Sequence, residues 1–171
     1  FAYAGENGSI NMLTNSGDIF GQNDDFVFMY KEFDTSSLKD GASITCTINP
    51  YLYNYNTSSA IGVMMRSGLD TFSSHAQLRI QPDGTVRGIW REKSNGASGY
   101  MAGSSVNLPY KVCVTKFGKR CVFSYGTGDD MTKIGEANVE FGEKVYMGIA
   151  LMANCGGNLA EGSVSDIVID N

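Results

Sequence analysis

Tyr51, Tyr53 and Tyr55 alternate with Leu52, Asn54 and Asn56 in one stretch of this chain. Tyrosine rings stack on apolar C–H faces, and asparagine amides read hydroxyls, which is the equipment a protein needs to hold a sugar. A second stretch has the same makeup: Trp90, the only tryptophan, stands beside Arg91 and Glu92, with Tyr100 beyond a glycine-serine turn. Ile89 and Trp90 point to opposite sides of a strand, so one of them must face inward. That leaves Trp90 open to either core packing or ligand contact. Arg66, Arg79, Arg87 and Arg91 end or line neighbouring runs. Two converging guanidiniums would form a bidentate site for carboxylates or hydroxyls. Arg66, closing an apolar run, also has a structural use, since its charge must be met by a carbonyl or a buried acid.

Catalysis finds little support. His75 is the single histidine, and a triad would need a nucleophile and an orienting acid beside it. It precedes Ala76–Ile80, where a strand-edge hydrogen bond is the simpler expectation, and it is kept as a candidate ligand contact. Only Glu32-Phe33-Asp34 places two acids at strand spacing, and the turn-like Thr35-Ser36-Ser37 follows at once. The remaining acids come as adjacent loop pairs, which point to opposite sides. The chain therefore reads as a non-enzyme. Asp18, Asp24, Asp25, Asp166 and Asp170 supply the hard oxygens that calcium prefers, but no D-x-D-x-D-G loop is present.

Short alternating runs position these residues. They cover 9–13, 26–33, 43–48, 60–66, 76–81, 86–91, 110–115, 121–125, 145–152 and 162–169. Turn chemistry separates them, as in Lys39-Asp40-Gly41, Pro82-Asp83-Gly84, Ser94-Asn95-Gly96 and Gly156-Gly157-Asn158. No helical period persists for three turns. The expected architecture is all-β, two antiparallel sheets packed face to face as a jelly-roll sandwich. Phe26, Phe28 and Tyr30, spaced by two, are expected to share the core-facing side of their strand. The first eight residues are expected to be the most mobile.

The 171 residues form one domain large enough to bury its own core. A net charge of −5 excludes a phosphate-neutralising stripe for nucleic acid. The longest apolar run, 145–153, is far short of a bilayer span of roughly 20 residues. A start at Phe1 without an initiator methionine reads as a module cut from a longer precursor. Cys46, Cys113, Cys121 and Cys155 permit three pairings if all pair, and no C-x-x-C suggests zinc. Cys113 and Cys121 flank a turn at Phe117-Gly118-Lys119, Cys46 is in phase with Ile44 and Ile48, and the redox state is left open.

The order of motifs resembles a known family. Gly17-Asp-Ile-Phe-Gly-Gln-Asn-Asp-Asp-Phe-Val-Phe-Met-Tyr30 is followed by Ser43–Ile48, Gly62-Val-Met-Met-Arg66, His75-Ala-Gln-Leu-Arg79 and Trp90-Arg91. Lys144–Ala150 and Gly162–Ile169 close the series. This is similar to the concanavalin-like, laminin-G-like β-sandwich modules of bacterial secreted polysaccharide-degrading enzymes and surface proteins. The likeness runs from about Ile10 to the C-terminus. It implies a secreted or cell-surface module that binds polysaccharide and tethers appended catalytic or anchoring domains, with a structural calcium near the first and last strands. The other expectation is a structural or protein-interaction module. Such modules often carry a tryptophan before the Gly-Val-Met-Met-Arg stretch, where this chain has Tyr51–Ser59, which implies a different ligand.

Overall fold

The computed structural model describes residues 1–154 and 157–171. Cys155 and the first glycine of the 156–158 turn lie outside the described residues. The strands are β1 (Ala2–Ala4), β2 (Ile10–Thr14), β3 (Val27–Asp34), β4 (Ala42–Ile48), β5 (Tyr53–Asn54), β6 (Ala60–Arg66) and β7 (His75–Ile80). Then come β8 (Val86–Arg91), β9 (Ser98–Ala102), β10 (Tyr110–Phe117), β11 (Arg120–Gly126), β12 (Thr132–Asn138), β13 (Lys144–Met152) and β14 (Ala160–Asp170). They form two antiparallel sheets. One runs β1-β2-β14-β4-β10-β11-β12, with β5 added to β14; the other runs β3-β13-β6-β7-β8-β9.

The ten alternating runs all become strands, with ends moved by a residue or two. Pro82-Asp83-Gly84 makes the expected hairpin: Gly84 N–H donates to Gln81 C=O, at a φ of 86° that glycine tolerates. β1, β5, β9 and β12 carry too little apolar alternation to be read from sequence. β1, lying within the first eight residues, pairs with β2 in register. Among the described residues Cys46, Cys113 and Cys121 are free thiols. Cys113 pairs with Ser124 and Cys121 with Lys116 across the β10–β11 hairpin, so the two cysteines are not opposite each other.

The core lies between the sheets. Ile44, Cys46 and Ile48 on β4 meet Ile61, Val63 and Met65 on β6 and Leu78 and Ile80 on β7. β6 is the centre of its sheet, and it is buried on both faces. The β3 phase is the reverse of the expected one. Val27, Met29 and Phe33 turn inward, and Phe26, Phe28 and Tyr30 face outward. Lys31 disguises the inward phase in the sequence. Its ammonium lies 5.2 Å from the Phe33 ring centroid, at the rim of the core.

Gly62 allows β6 to lie close against β7. A Cβ there would fall 1.9 Å from Leu78 O and 2.6 Å from Arg79 Cα. Gly62→Ala is expected to destabilise the domain by about 1–3 kcal/mol through overpacking, measured as a lower urea midpoint.

Candidate functional site

The outer face of the six-stranded sheet concentrates charge. Register puts Arg66, His75, Arg91 and Ser98 side by side across β6, β7, β8 and β9, and Gln77 and Arg79 further along β7 on the same side. Three cationic side chains so close in a dry layer require counter-charge. Segment 15–26, between β2 and β3, folds over the face and supplies it. The Asp24 carboxylate, fully buried, lies 2.7 Å from Arg66 Nη1 and accepts from Arg91 Nη1 and Nη2 at 2.8 and 2.7 Å. Arg66 also donates to Asp70 O at 2.5 Å, and Arg91 to Ser73 O and Gly21 O. Arg79 pairs with Asp18 at 3.1 Å and donates to Ile19 O. Ile19 fills the gap among Ala60, Met64, Ala150 and Met152. Phe26 caps Arg66, its ring centroid 5.0 Å from the guanidinium carbon.

This layer shields His75 completely. Neither ring nitrogen has a hydrogen-bond partner, so the expected strand-edge hydrogen bond is not formed. Burial, reinforced by Arg66, Arg91 and Arg79, holds its pKa well below the ordinary value. Gln77, beside it on β7, likewise has both side-chain polar atoms unpartnered. Burial also pulls Arg66 and Arg79 down from their ordinary pKa, and the paired aspartates oppose that pull.

The residues singled out from sequence therefore separate into distinct places. Arg66, His75 and Arg91 come together, but under the segment and away from solvent. Trp90 lies on the opposite, core-facing side of β8, its ring across the cross-strand partner Gly99. Tyr100 is exposed, edge-on to Phe20 of the covering segment at 6.3 Å, with Arg87 5.9 Å from its ring. Tyr51 packs on the core and donates its hydroxyl to Ile80 O, and its burial pushes its pKa up.

Tyr53 and Tyr55 are 49% and 65% exposed. They stand at one end of the sandwich, where β5 pairs with β14 and Tyr55 N–H donates to Leu159 O. Beside them opens a pocket of about 350 Å³, lined by Tyr51, Asn54, Asp83 and Asn107 among others. The five aspartates considered for calcium do not gather into a cage, and Asp170 pairs with Lys39. Both oxygens of Asp24 are held by arginines, Asp18 by Arg79, and Asp25 accepts from Gly17 N–H. Asp166 sits at a bulge of β14 on the other sheet, at a φ of 52°, near Thr47. No group of three metal-binding side chains occurs among the described residues.

The outward row Phe26, Phe28 and Tyr30 was missed as a surface feature. Phe28 and Tyr30 stack at 5.2 Å, and Tyr146 of β13 closes on Tyr30 at 5.4 Å. The signal available in sequence was the opposite phase, Val27, Met29 and Phe33, which is apolar enough to be the inward one.

No protein-family model matches the chain, and no curated protein does. Solved structures do match. A functionally unknown protein from Saccharomyces cerevisiae superposes with a TM-score of 0.73 at 14% identity, over 99% of this chain and 91% of that one. The carbohydrate-binding module CBM66 from Bacillus subtilis gives 0.63 at 14%, over 100% and 91%. Alginate lyase A1-II′, of polysaccharide lyase family 7, gives 0.64 at 9%, over 99% and 82%. At these identities the likeness shows the fold, a concanavalin-like β-sandwich.

Two outcomes test the buried layer. Asp24→Asn should destabilise the domain by about 3–5 kcal/mol, because it leaves two buried guanidiniums short of their counter-charge. His75 should make the domain acid-labile. The unfolded chain takes up a proton below about pH 6.5 while the folded chain does not. Stability is then complete above that pH and falls below it, by up to about 1.4 kcal/mol per pH unit. His75→Asn should flatten this part of the melting-temperature profile between pH 6.5 and 4.5.

Proposed function

We propose that the chain is a non-catalytic carbohydrate-binding module of a secreted or surface protein, targeting appended domains to polysaccharide. The observation that carries the reading is the pair of exposed tyrosines, Tyr53 and Tyr55, interleaved with Asn54 and Asn56 beside an open polar pocket. Rings at that exposure offer sugar C–H faces a stacking surface at low entropic cost, while the amides and Asp83 face hydroxyls. Asn56 also stabilises the loop, its side-chain oxygen accepting from Ser58 N–H at 2.8 Å. Such a site is in place before ligand arrives, which spares the ordering cost of binding.

The burial of His75 supports a binding role over a hydrolytic or lyase one. A general base must come within hydrogen-bond reach of its substrate, and the segment carrying Asp24 occupies that space. The similarity to CBM66 is compatible with the reading, but at 14% and 9% identity the CBM66 and lyase likenesses alike carry only the fold. The structural or protein-interaction reading has its own favourable observation: Leu52 and Leu159, 54% and 47% exposed, flank the tyrosines with apolar surface.

One module of this kind binds with a dissociation constant of order micromolar to millimolar. In affinity gels containing soluble polysaccharides, the domain should be retarded by one or two polymers. The double substitution Tyr53→Ala, Tyr55→Ala should reduce that retardation at least tenfold, of order 1.4 kcal/mol, with an unchanged melting temperature. Normal retardation of the double variant would remove the tyrosines from the site.

A further inference from the structure

We infer that the outer ridge of β3 is a second glycan-binding surface, made by Phe26, Phe28, Tyr30 and Tyr146, and that it takes a linear, neutral polysaccharide. The inference rests on the carbohydrate-binding reading and extends it to a surface that reading does not use.

Four rings follow one another along the edge of the sheet. Phe26 and Phe28 are 5.7 Å apart and inclined at 54°, Phe28 and Tyr30 are 5.2 Å apart at 29°, and Tyr146 meets Tyr30 edge-on. Together they make a continuous apolar ridge, with Tyr30 its outermost member at 46% exposure. Phe26 and Phe28 are half-buried against the cluster of Ile19, Ala60, Met64, Ala150 and Met152, and Tyr30 carries the row beyond that cluster into solvent. The stretch from Phe26 to Tyr30 is about 13 Å long at strand rise, so the ridge presents a short line of rings to a ligand.

Polar groups stand at both ends. Beyond Tyr30, Tyr146 is hydrogen-bonded to Glu32, and Lys144 lies 3.4 Å from Glu32 and 2.7 Å from Asp34. Beyond Phe26, a pocket of about 280 Å³ opens between Phe26 and Phe28 on one side and Leu69, Thr71 and Asp25 on the other. An apolar line with hydroxyl-reading groups at its ends matches a chain of pyranose rings, which alternates C–H faces with equatorial hydroxyls.

Charge selects the neutral class. Arg66 and Arg91 of this face are consumed by Asp24 and Arg79 by Asp18, while Arg87 lies by the Tyr100 ring on β8, at the other side of the sheet from β3. What remains around the ridge is Asp25, Glu32 and Asp34 against Lys31 and Lys144. Lys31 and Glu32, exposed on this edge strand, also discourage pairing with a strand of another protein.

Two surfaces on one rigid domain would act together on a polymer and add avidity. The test uses the whole chain, with Tyr30→Ala, with Tyr53→Ala/Tyr55→Ala, and with all three substitutions. Gels containing xyloglucan, glucomannan, mixed-linkage β-glucan or polygalacturonate identify the polymer. Calorimetry with hexasaccharides cut from it counts sites. Tyr30 is half-exposed and stacks on Phe28, so its removal should lower the melting temperature by only a few degrees, and binding is read well below it. The expected result is retardation by a neutral polymer and two hexasaccharides per chain. One should remain after either set of substitutions and none after all three, with polymer affinity lowered roughly 100-fold or more in each partial variant. Wild-type binding that Tyr30→Ala leaves unchanged would overturn the ridge and spare the carbohydrate reading. Retardation by polygalacturonate alone would overturn the neutral class. Binding lost with Tyr30→Ala but intact without Tyr53 and Tyr55 would keep the ridge and remove the tyrosine end. A wild-type chain retarded in no gel would overturn the carbohydrate reading and the ridge with it.

Discussion

The Asp24 carboxylate, held between the guanidiniums of Arg66 and Arg91, sets the form of one whole side of the molecule. A sheet that buries three arginines and a histidine on one face cannot leave them uncompensated. Arg66 and Arg91, at one level on either side of His75 on β7, also repel each other. A single acid placed between them removes both problems, and only a segment that crosses the strands can deliver it. The path from β2 to β3 is therefore dictated by electrostatics, and Ile19 and Phe26 follow as apolar anchors on either side of the ion cluster. Such a cluster adds little net stability, since the desolvation of three charges offsets much of their attraction. Its effect is on register: slipping the segment by one residue would turn the carboxylate away and bury a backbone carbonyl against the arginines.

Closing this face decides where recognition can occur. The residues that would make the strongest anion site, Arg66, Arg79 and Arg91, are neutralised by the chain itself and covered. His75, the single histidine, is sealed in the same layer, and burial, reinforced by the arginines around it, disfavours its charged form. What the domain offers to a partner is consequently aromatic and weakly polar, and it lies at the margins: the β5 end and the β3 edge. Both places combine exposed rings with a pocket, and both have neighbours that accept and donate hydrogen bonds. A surface of that kind discriminates by shape and by hydroxyl pattern, since Arg66, Arg79 and Arg91 are already paired and covered.

The strands of the sandwich were legible in the sequence because alternation and turn chemistry are local. Ala60–Arg66 and Val86–Arg91 could be placed to the residue, and the Pro82-Asp83-Gly84 hairpin from its turn signal alone. The site was less legible, for identifiable reasons. Asp24 reads as a loop acid, and its partners lie more than forty positions away on other strands. Trp90 and Ile89 are both apolar, so periodicity could not choose between them; each is covered, one by the opposite sheet and one by the segment. In β3 the two phases are almost equally hydrophobic, and the aromatic one looked more like a core. The inward phase won because Val27 and Met29 fit the space against β13 and β2, while Lys31 reaches solvent along the Phe33 ring.

The β3 edge unites these points. An edge strand with a broad apolar face is a hazard in a small β-sandwich, since it invites pairing with other chains. Here the hydrogen-bonding edge is defended by Lys31 and Glu32, and the rings are gathered on the face, where Phe28 and Tyr30 shield each other by stacking. Stacking lowers the exposed apolar area and leaves an ordered ridge, so little side-chain freedom remains to be lost when a ligand docks. The neighbouring positions on β13 are Gly148 and Ala150, both small and both buried beside the rings. A Cβ on Gly148 would fall 2.0 Å from Met29 O, so the close approach of β3 and β13 requires glycine there. The constraint that packs the edge strand thus also shapes the surface beside it, and a binding ridge arises there without a loop insertion.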